Sequence, residues 1–232
     1  MFAVTRRAAA STATASVKVP PTSIPTRTLT TGSVVASRSV SLSQRERAVC
    51  DSIAGRGGEL VELASALIGF DTTARNPDDP PRQEAELQSS LADRLRAAGA
   101  TVDVWEPSRE ETEGRPLVPP GLGFEGRPQL VARFGGSGNG RSLLFNGHID
   151  AVSTEPVDRW TSDPFHAEVR DGLLYGRGSC DMKGGVAAMV FACEILAEAG
   201  VSLAGDLVVA TNTDEEWYSC WSALSKNVFA SS

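Results

Sequence analysis

Apolar side chains recur at helical spacing in three stretches of this chain and fill short, strand-length runs between them. Across residues 43–68, Leu60, Leu63, Ala64 and Leu67 form a stripe, with Val61 and Ile68 beside it. That spacing predicts helix, with a break at residues 55–58 where three glycines cluster. Across residues 83–98, Leu87, Leu91 and Leu95 recur every fourth position, and Gly99 suits a helix end. Both leucine stripes are read as core packing. A third helix is predicted over residues 182–199, between Asp181 and Gly200. Strand-length apolar runs occupy Thr101–Trp105, Gln129–Phe134, 142–146 and 207–211. Residues 165–169 and Leu173–Tyr175 flank Arg170-Asp171-Gly172, and Asp-Gly is a strong hairpin turn. Residues 71–82 and 107–128 are rich in breakers and read as loops. Helices alternating with apolar strands indicate an α/β domain with a largely buried central sheet.

Composition narrows the classes. The chain has 232 residues, 41% of them hydrophobic, which suits one globular domain, or one domain with a tail. A net charge of −7 gives no basic field for nucleic acid. Residues 1–44 hold five basic residues and no acidic one. They are rich in Ser, Thr and Ala and lack an apolar face, so they cannot offset their ordering entropy. Residues 1–42 are therefore expected to be a disordered extension or a misassigned start; an organelle-targeting segment is the alternative. The longest apolar run, within residues 186–196, is broken by Glu194 and too short to cross a bilayer. The four cysteines show no C-x-x-C spacing and read as reduced thiols of a cytoplasmic protein.

The candidate chemistry lies at predicted strand ends, where open α/β sheets bind ligands. His148 and Asp150 follow one strand, Asp181 follows the turn Gly176-Arg177-Gly178, and Glu215 and Glu216 follow another strand. Zinc takes such a mixed nitrogen and oxygen set. His148 and Asp150 are two apart, so in extended backbone they point the same way, and the carboxylate can fix the ring's tautomer. Of adjacent Glu215 and Glu216, one can bind metal while the other acts as general base. Taken singly, each group has a plainer reading: a surface histidine, an N-cap aspartate, an acidic surface turn. Their coincidence at three strand ends favours the site. His166 is given a structural or surface role, Cys180 that of a small packed residue, and Lys183 that of a neutraliser of carboxylates or a solvent-facing amine. The glycine-rich segment fits no phosphate-binding pattern.

These segments resemble the M20 metallopeptidases, the group of acetylornithine deacetylase, succinyl-diaminopimelate desuccinylase, aminoacylase and carboxypeptidase G. The resemblance is carried by Gly147-His148-Ile149-Asp150, Trp160–Phe165, Asp171–Asp181 and Asp214-Glu215-Glu216. It implies a zinc-peptidase-like catalytic domain, its central sheet mostly parallel or mixed and flanked by helices. It implies hydrolysis of amide bonds in N-acyl amino acids or small peptides with two zinc ions, cobalt or manganese being possible substitutes. It further implies that His148 binds one metal, Asp181 bridges both, Glu216 binds the other, Glu215 is the general base and Asp150 orients His148. The peptide bond after Asp181 is cis in that family.

The sequence departs from the family after Glu216, where Trp217-Tyr218-Ser219-Cys220 replaces small, glycine-containing residues. The expected organisation is an extension over 1–42, a partial M20-like catalytic domain over 43–216 that is incomplete at its C-terminus, and an atypical tail over 217–232. The family's lid and dimerisation domain is absent from this reading, so family-type dimerisation is not expected, nor is a membrane or nucleic-acid partner. Weak zinc binding and little or no turnover follow as expectations. The alternatives are a dipeptidase or carboxypeptidase, a non-catalytic metal-binding or regulatory protein on part of the fold, and a fragment without function.

Overall fold

The computed structural model describes residues 16–18, 41–74, 81–114, 118 and 121–218. Ser43 opens helix α1 (Gln44–Gly55) with a reciprocal capping box: its hydroxyl accepts from the Glu46 N–H, and the Glu46 carboxylate accepts from the Ser43 N–H. The glycine cluster ends this helix at Arg56, which leaves helical geometry with φ of −110° and ψ of 27°, and α2 (Gly57–Ile68) starts at once after it. Helix α3 (Glu84–Ala97) carries acids in its first turn and Arg94 and Arg96 in its last, as the helix dipole favours. Its three leucines are fully buried. Farther along, a one-turn helix, α4 (Arg109–Thr112), opens with a capping box at Ser108.

Four strands form the main sheet: β2 (Thr101–Trp105), β3 (Gln129–Phe134), β4 (Leu143–His148) and β7 (Leu207–Asn212), in the order β2-β3-β7-β4. The sheet is mixed, because β3 runs antiparallel to both β2 and β7 while β4 and β7 are parallel. A second sheet holds β5 (Glu168–Arg170) and β6 (Leu173–Tyr175), with β1 (Ser16–Lys18) on the far side of β6. Asp171 and Gly172 join β5 to β6 with positive φ angles of 51° and 73°, the paired left-handed geometry of a two-residue hairpin. Apart from residues 16–18, the expected extension over 1–42 falls outside the described residues, except for the helix-capping approach at 41–42. The expected tail over 217–232 does so beyond Tyr218.

The sheet's side chains alternate between two faces. Leu130, Ala132, Leu207 and Val209 join the main core with α2, α3 and α5 (Lys183–Glu198). Val131, Val208 and Ala210 form a smaller cluster on the other face with Trp105. Leu91 lies at the centre of the main core, so Leu91→Ala is expected to destabilise the fold by about 2–5 kcal/mol through lost burial and the cavity left behind. Urea denaturation measures this; a loss below about 1 kcal/mol would contradict the packing.

The parallel pair β4–β7 positions the site. Both strands end side by side, with His148 in register with Asn212. The loop after α2 is laced along the segment that follows His148: Thr72 donates its hydroxyl to the Ile149 carbonyl at 2.6 Å, and the Ala74 N–H donates to the Ala151 carbonyl at 2.7 Å.

Candidate metal centre

His148 is the last residue of β4, which runs two residues past the predicted strand because its ladder with β7 continues through Gly147 and His148. The imidazole is nearly inaccessible. Its Nδ1–H donates to the backbone carbonyl of Asp150 at 2.9 Å, and an Asp150 carboxylate oxygen lies 3.4 Å away. The ring is thus held by a hydrogen bond to the Asp150 carbonyl, with the predicted carboxylate at ion-pair distance beside it. This fixes Nδ1 as donor and turns Nε2 toward Asp181 Oδ1, at 2.9 Å. The other Asp150 carboxylate oxygen accepts the backbone N–H of Glu216 at 2.8 Å. One buried carboxylate therefore ties the end of β4 to the start of the short helix α6 (Glu215–Tyr218).

Asp181 occupies the turn between β6 and α5. Gly178 in that turn has φ of 80°, and a Cβ there would come within 3.1 Å of the Lys183 side chain. The plainer reading of Asp181 as a helix cap does not hold. Met182 occupies the N-cap position, and no side chain caps α5. The Asp181 carboxylate is 71% exposed and points at His148 instead. The Asp181–Met182 peptide bond is cis.

His148, Asp181 and Glu216 each offer a ligand atom, all within 4.8 Å of one another. Glu215 Oε2 stands 3.8 Å from His148 Nε2. The predicted residues His148, Asp150, Asp181, Glu215 and Glu216 are thus all brought to one place. Burial, Asp181, Asp150 and Glu215 together push the Glu216 carboxyl up to about 7, against the opposing pull of His148. Burial favours the neutral His148 ring, but the Asp150 and Asp181 carboxylates and the Asp150 carbonyl outweigh it and raise the imidazolium to about 9. A crowded carboxyl that retains its proton, as Glu216 does beside an imidazole, fits a centre built for a cation.

One of the two readings of Lys183 falls, and the reading of Cys180 needs correction. Lys183 does not face solvent: it is fully buried, and Nζ donates to the Phe70 carbonyl at 2.6 Å, tying α5 to the loop after α2. Burial lowers this amine to about 8, against the pull of Asp71, Asp150 and Glu84. Cys180 is exposed rather than packed, because the turn before α5 presents it outward. Cys50 is also exposed, whereas Cys193 is buried, and burial with Glu194 nearby raises its thiol to about 11. Iodoacetamide at pH 8 is expected to label Cys50 and Cys180 and to spare Cys193 in the native protein. Equal labelling, read by peptide mass spectrometry, would contradict this.

The sequence did not reveal the groups that support the site. Gln88 sits in the leucine stripe of α3, and its amide donates to the carbonyls of Pro128 and Thr211, each at 3.1 Å. The Thr211 hydroxyl donates to Gln88 Oε1 at 2.6 Å. A polar residue interrupting an apolar stripe was the available signal. Arg177 lies over the Trp160 ring at 4.8 Å and donates to the Ser153 carbonyl at 2.9 Å. Nothing local in the sequence couples those three.

The chain is similar to known proteins over the segments that carry this site. The profile of peptidase family M20/M25/M40 matches residues 144–230. The N-formyl-4-amino-5-aminomethyl-2-methylpyrimidine deformylase of Bacillus subtilis (strain 168) is 34% identical over 160 residues, covering 68% of this chain and 33% of the relative. A succinyl-diaminopimelate desuccinylase of Gluconacetobacter diazotrophicus is 49% identical over 100 residues, 43% of this chain and 25% of the relative. The crystal structure of human carnosine dipeptidase 1 superposes with a TM-score of 0.63 at 26% identity, covering 78% of this chain and 37% of that one. The chain belongs to the M20 metallopeptidase family. It spans about a third or less of the length of these curated relatives. Among the described residues, no helix is long and apolar enough to cross a membrane.

Proposed function

We propose that this chain serves a metal-dependent hydrolase of amide bonds in N-acyl amino acids or short peptides, acting in the cytoplasm, with residues 43–216 as its M20-type catalytic part. The observation that carries the reading is the convergence of His148, Asp181 and Glu216 at the carboxyl ends of β4 and β7. These three would hold the metal, one ion or the pair that the resemblance implies, and zinc matches one imidazole nitrogen with carboxylate oxygens. A bound zinc supplies Lewis acidity toward an amide carbonyl and makes water acidic enough to attack near neutral pH.

The protein's own groups divide the remaining work. Asp150 orients His148 from the Nδ1 side and anchors the Glu216 backbone. Glu215, beside the ligand cluster, takes the proton from the attacking water and returns it to the leaving amine. Proteins named as deformylase, desuccinylase and carnosine dipeptidase are all relatives or structural neighbours of this chain. Cleavage of an amide to a small acyl group or amino acid is what their names share, and it defines the substrate class proposed here.

The test is turnover by the purified, zinc-loaded chain of N-formyl, N-acetyl and N-succinyl amino acids against dipeptides. Slow, zinc-dependent cleavage that Glu215→Gln removes, with zinc still bound, is the expected result. Zinc binding with no cleavage of any amide would favour a non-catalytic metal-binding role.

A further inference from the structure

We propose that Arg127 is a positioning residue for Glu215 and Glu216, acting through Asp214. The proposal rests on the reading of these glutamates as base and metal ligand, and assigns the support that holds them.

Arg127 and Gln129 lie two apart where the chain enters β3, and both are buried. Together they grip the turn that leaves β7. Arg127 Nη1 meets Asp214 Oδ1 at 3.4 Å, a pair with side chains only 3% and 6% exposed. The Gln129 amide donates to the Thr213 hydroxyl at 2.8 Å and accepts the Thr213 N–H at 3.3 Å. The Thr213 hydroxyl donates to the Arg127 carbonyl at 3.5 Å.

The gripped turn is an unusual one. Asp214 has φ of 65°, a left-handed conformation that a residue with a side chain keeps only where its surroundings impose it. This residue turns the chain from β7 into α6, so its geometry sets where the next two carboxylates fall. Charge adds a second reason. Asp150, Asp181, Glu215 and Glu216 already crowd the site, and Asp214 brings a further buried carboxylate next to them. The Arg127 guanidinium balances it. Without that cation the buried Asp214 carboxylate loses an ion-pair partner, and the turn it shapes loses one of its holds.

The test compares Arg127→Met, Arg127→Lys and the doubly apolar Arg127→Met/Asp214→Leu with the unaltered chain. Zinc affinity by chelator competition and the visible absorption spectrum of the cobalt-loaded protein are read alongside thermal denaturation. Arg127→Met is expected to lower zinc affinity about 10–100-fold, the range for groups that orient metal ligands, and to alter the cobalt spectrum. Arg127→Lys, which keeps the charge, is expected to recover part of both. If Arg127→Met does not fold, the double variant decides, since it removes the buried charge with its partner. A folded double variant with lowered affinity and an altered spectrum supports the proposal. Unchanged affinity and spectrum in folded Arg127→Met or in the folded double variant overturns it. An unaltered chain that takes up neither zinc nor cobalt overturns the metal reading itself, and this proposal with it.

Discussion

Asp181→Ala is expected to weaken zinc binding about 100-fold or more while leaving the metal-free fold as stable as before. Structural zinc sites contribute about 10–16 kcal/mol over four ligands, so one ligand is worth roughly 3 kcal/mol, a factor of more than 100. The structural cost is small because the Asp181 carboxylate is largely exposed, caps no helix and meets only His148 among the hydrogen bonds described. Its removal also relieves Glu216, whose proton Asp181 helps to retain. The substitution thus separates the two readings of this residue. A ligand loses metal without losing fold; a helix cap loses stability without touching metal. Isothermal titration and thermal denaturation on the same samples tell them apart, and a lowered melting temperature with unchanged zinc affinity would refute the ligand role.

Zinc affinity is expected to climb steeply with pH, by roughly 10³- to 10⁴-fold between pH 6 and pH 9, because two ligands must first lose protons. His148 holds its proton to about 9 and Glu216 to about 7. Below pH 7 zinc displaces both protons; between 7 and 9 it displaces mainly that of His148. The zinc-free fold should show the matching trend. Both groups have folded values above their ordinary ones, so the folded state binds more protons and stability falls as pH rises. The His148 contribution is complete below the ordinary imidazole value and is lost as pH passes about 9. The penalty of ionising Glu216 builds from the ordinary carboxylate range to about 7. Zinc should therefore raise the melting temperature more at pH 8 than at pH 6. Chelator-buffered titrations across this range, with proton release read in buffers of different ionisation enthalpy, test it. A flat profile would show that His148 and Glu216 are not the groups that bind.

The sequence exposed those parts of this structure that depend on local periodicity. Leu87, Leu91 and Leu95 announced a helix and its buried face, and Thr101–Trp105 and Gln129–Phe134 are strands with the predicted bounds. The chemistry-bearing residues were visible because each stands beside a strand end or a glycine turn, and such places are marked in the sequence by composition. The strand order was not visible. Nothing in the run 129–134 says that it pairs with residues 207–212 rather than 143–148. The supports of the site were hidden for the same reason. Arg127 meets Asp214 across 87 positions, and Lys183 meets Phe70 across 113, so only the fold creates these pairs. Lys183 and Cys180 show how a local guess fails there: both flank Asp181, and the turn buries one and exposes the other.

His148, Asp181 and Glu216 are proposed to hold metal at the ends of β4 and β7. Anomalous diffraction at the zinc edge, from crystals of the chain grown with zinc near pH 8, tests this most directly. One peak or two are expected, with His148 Nε2 and carboxylate oxygens of Asp181 and Glu216 each at coordination distance, about 2.0–2.2 Å, from a zinc ion. Zinc bound elsewhere on the chain, with the His148–Asp181 hydrogen bond still in place, would contradict the proposal.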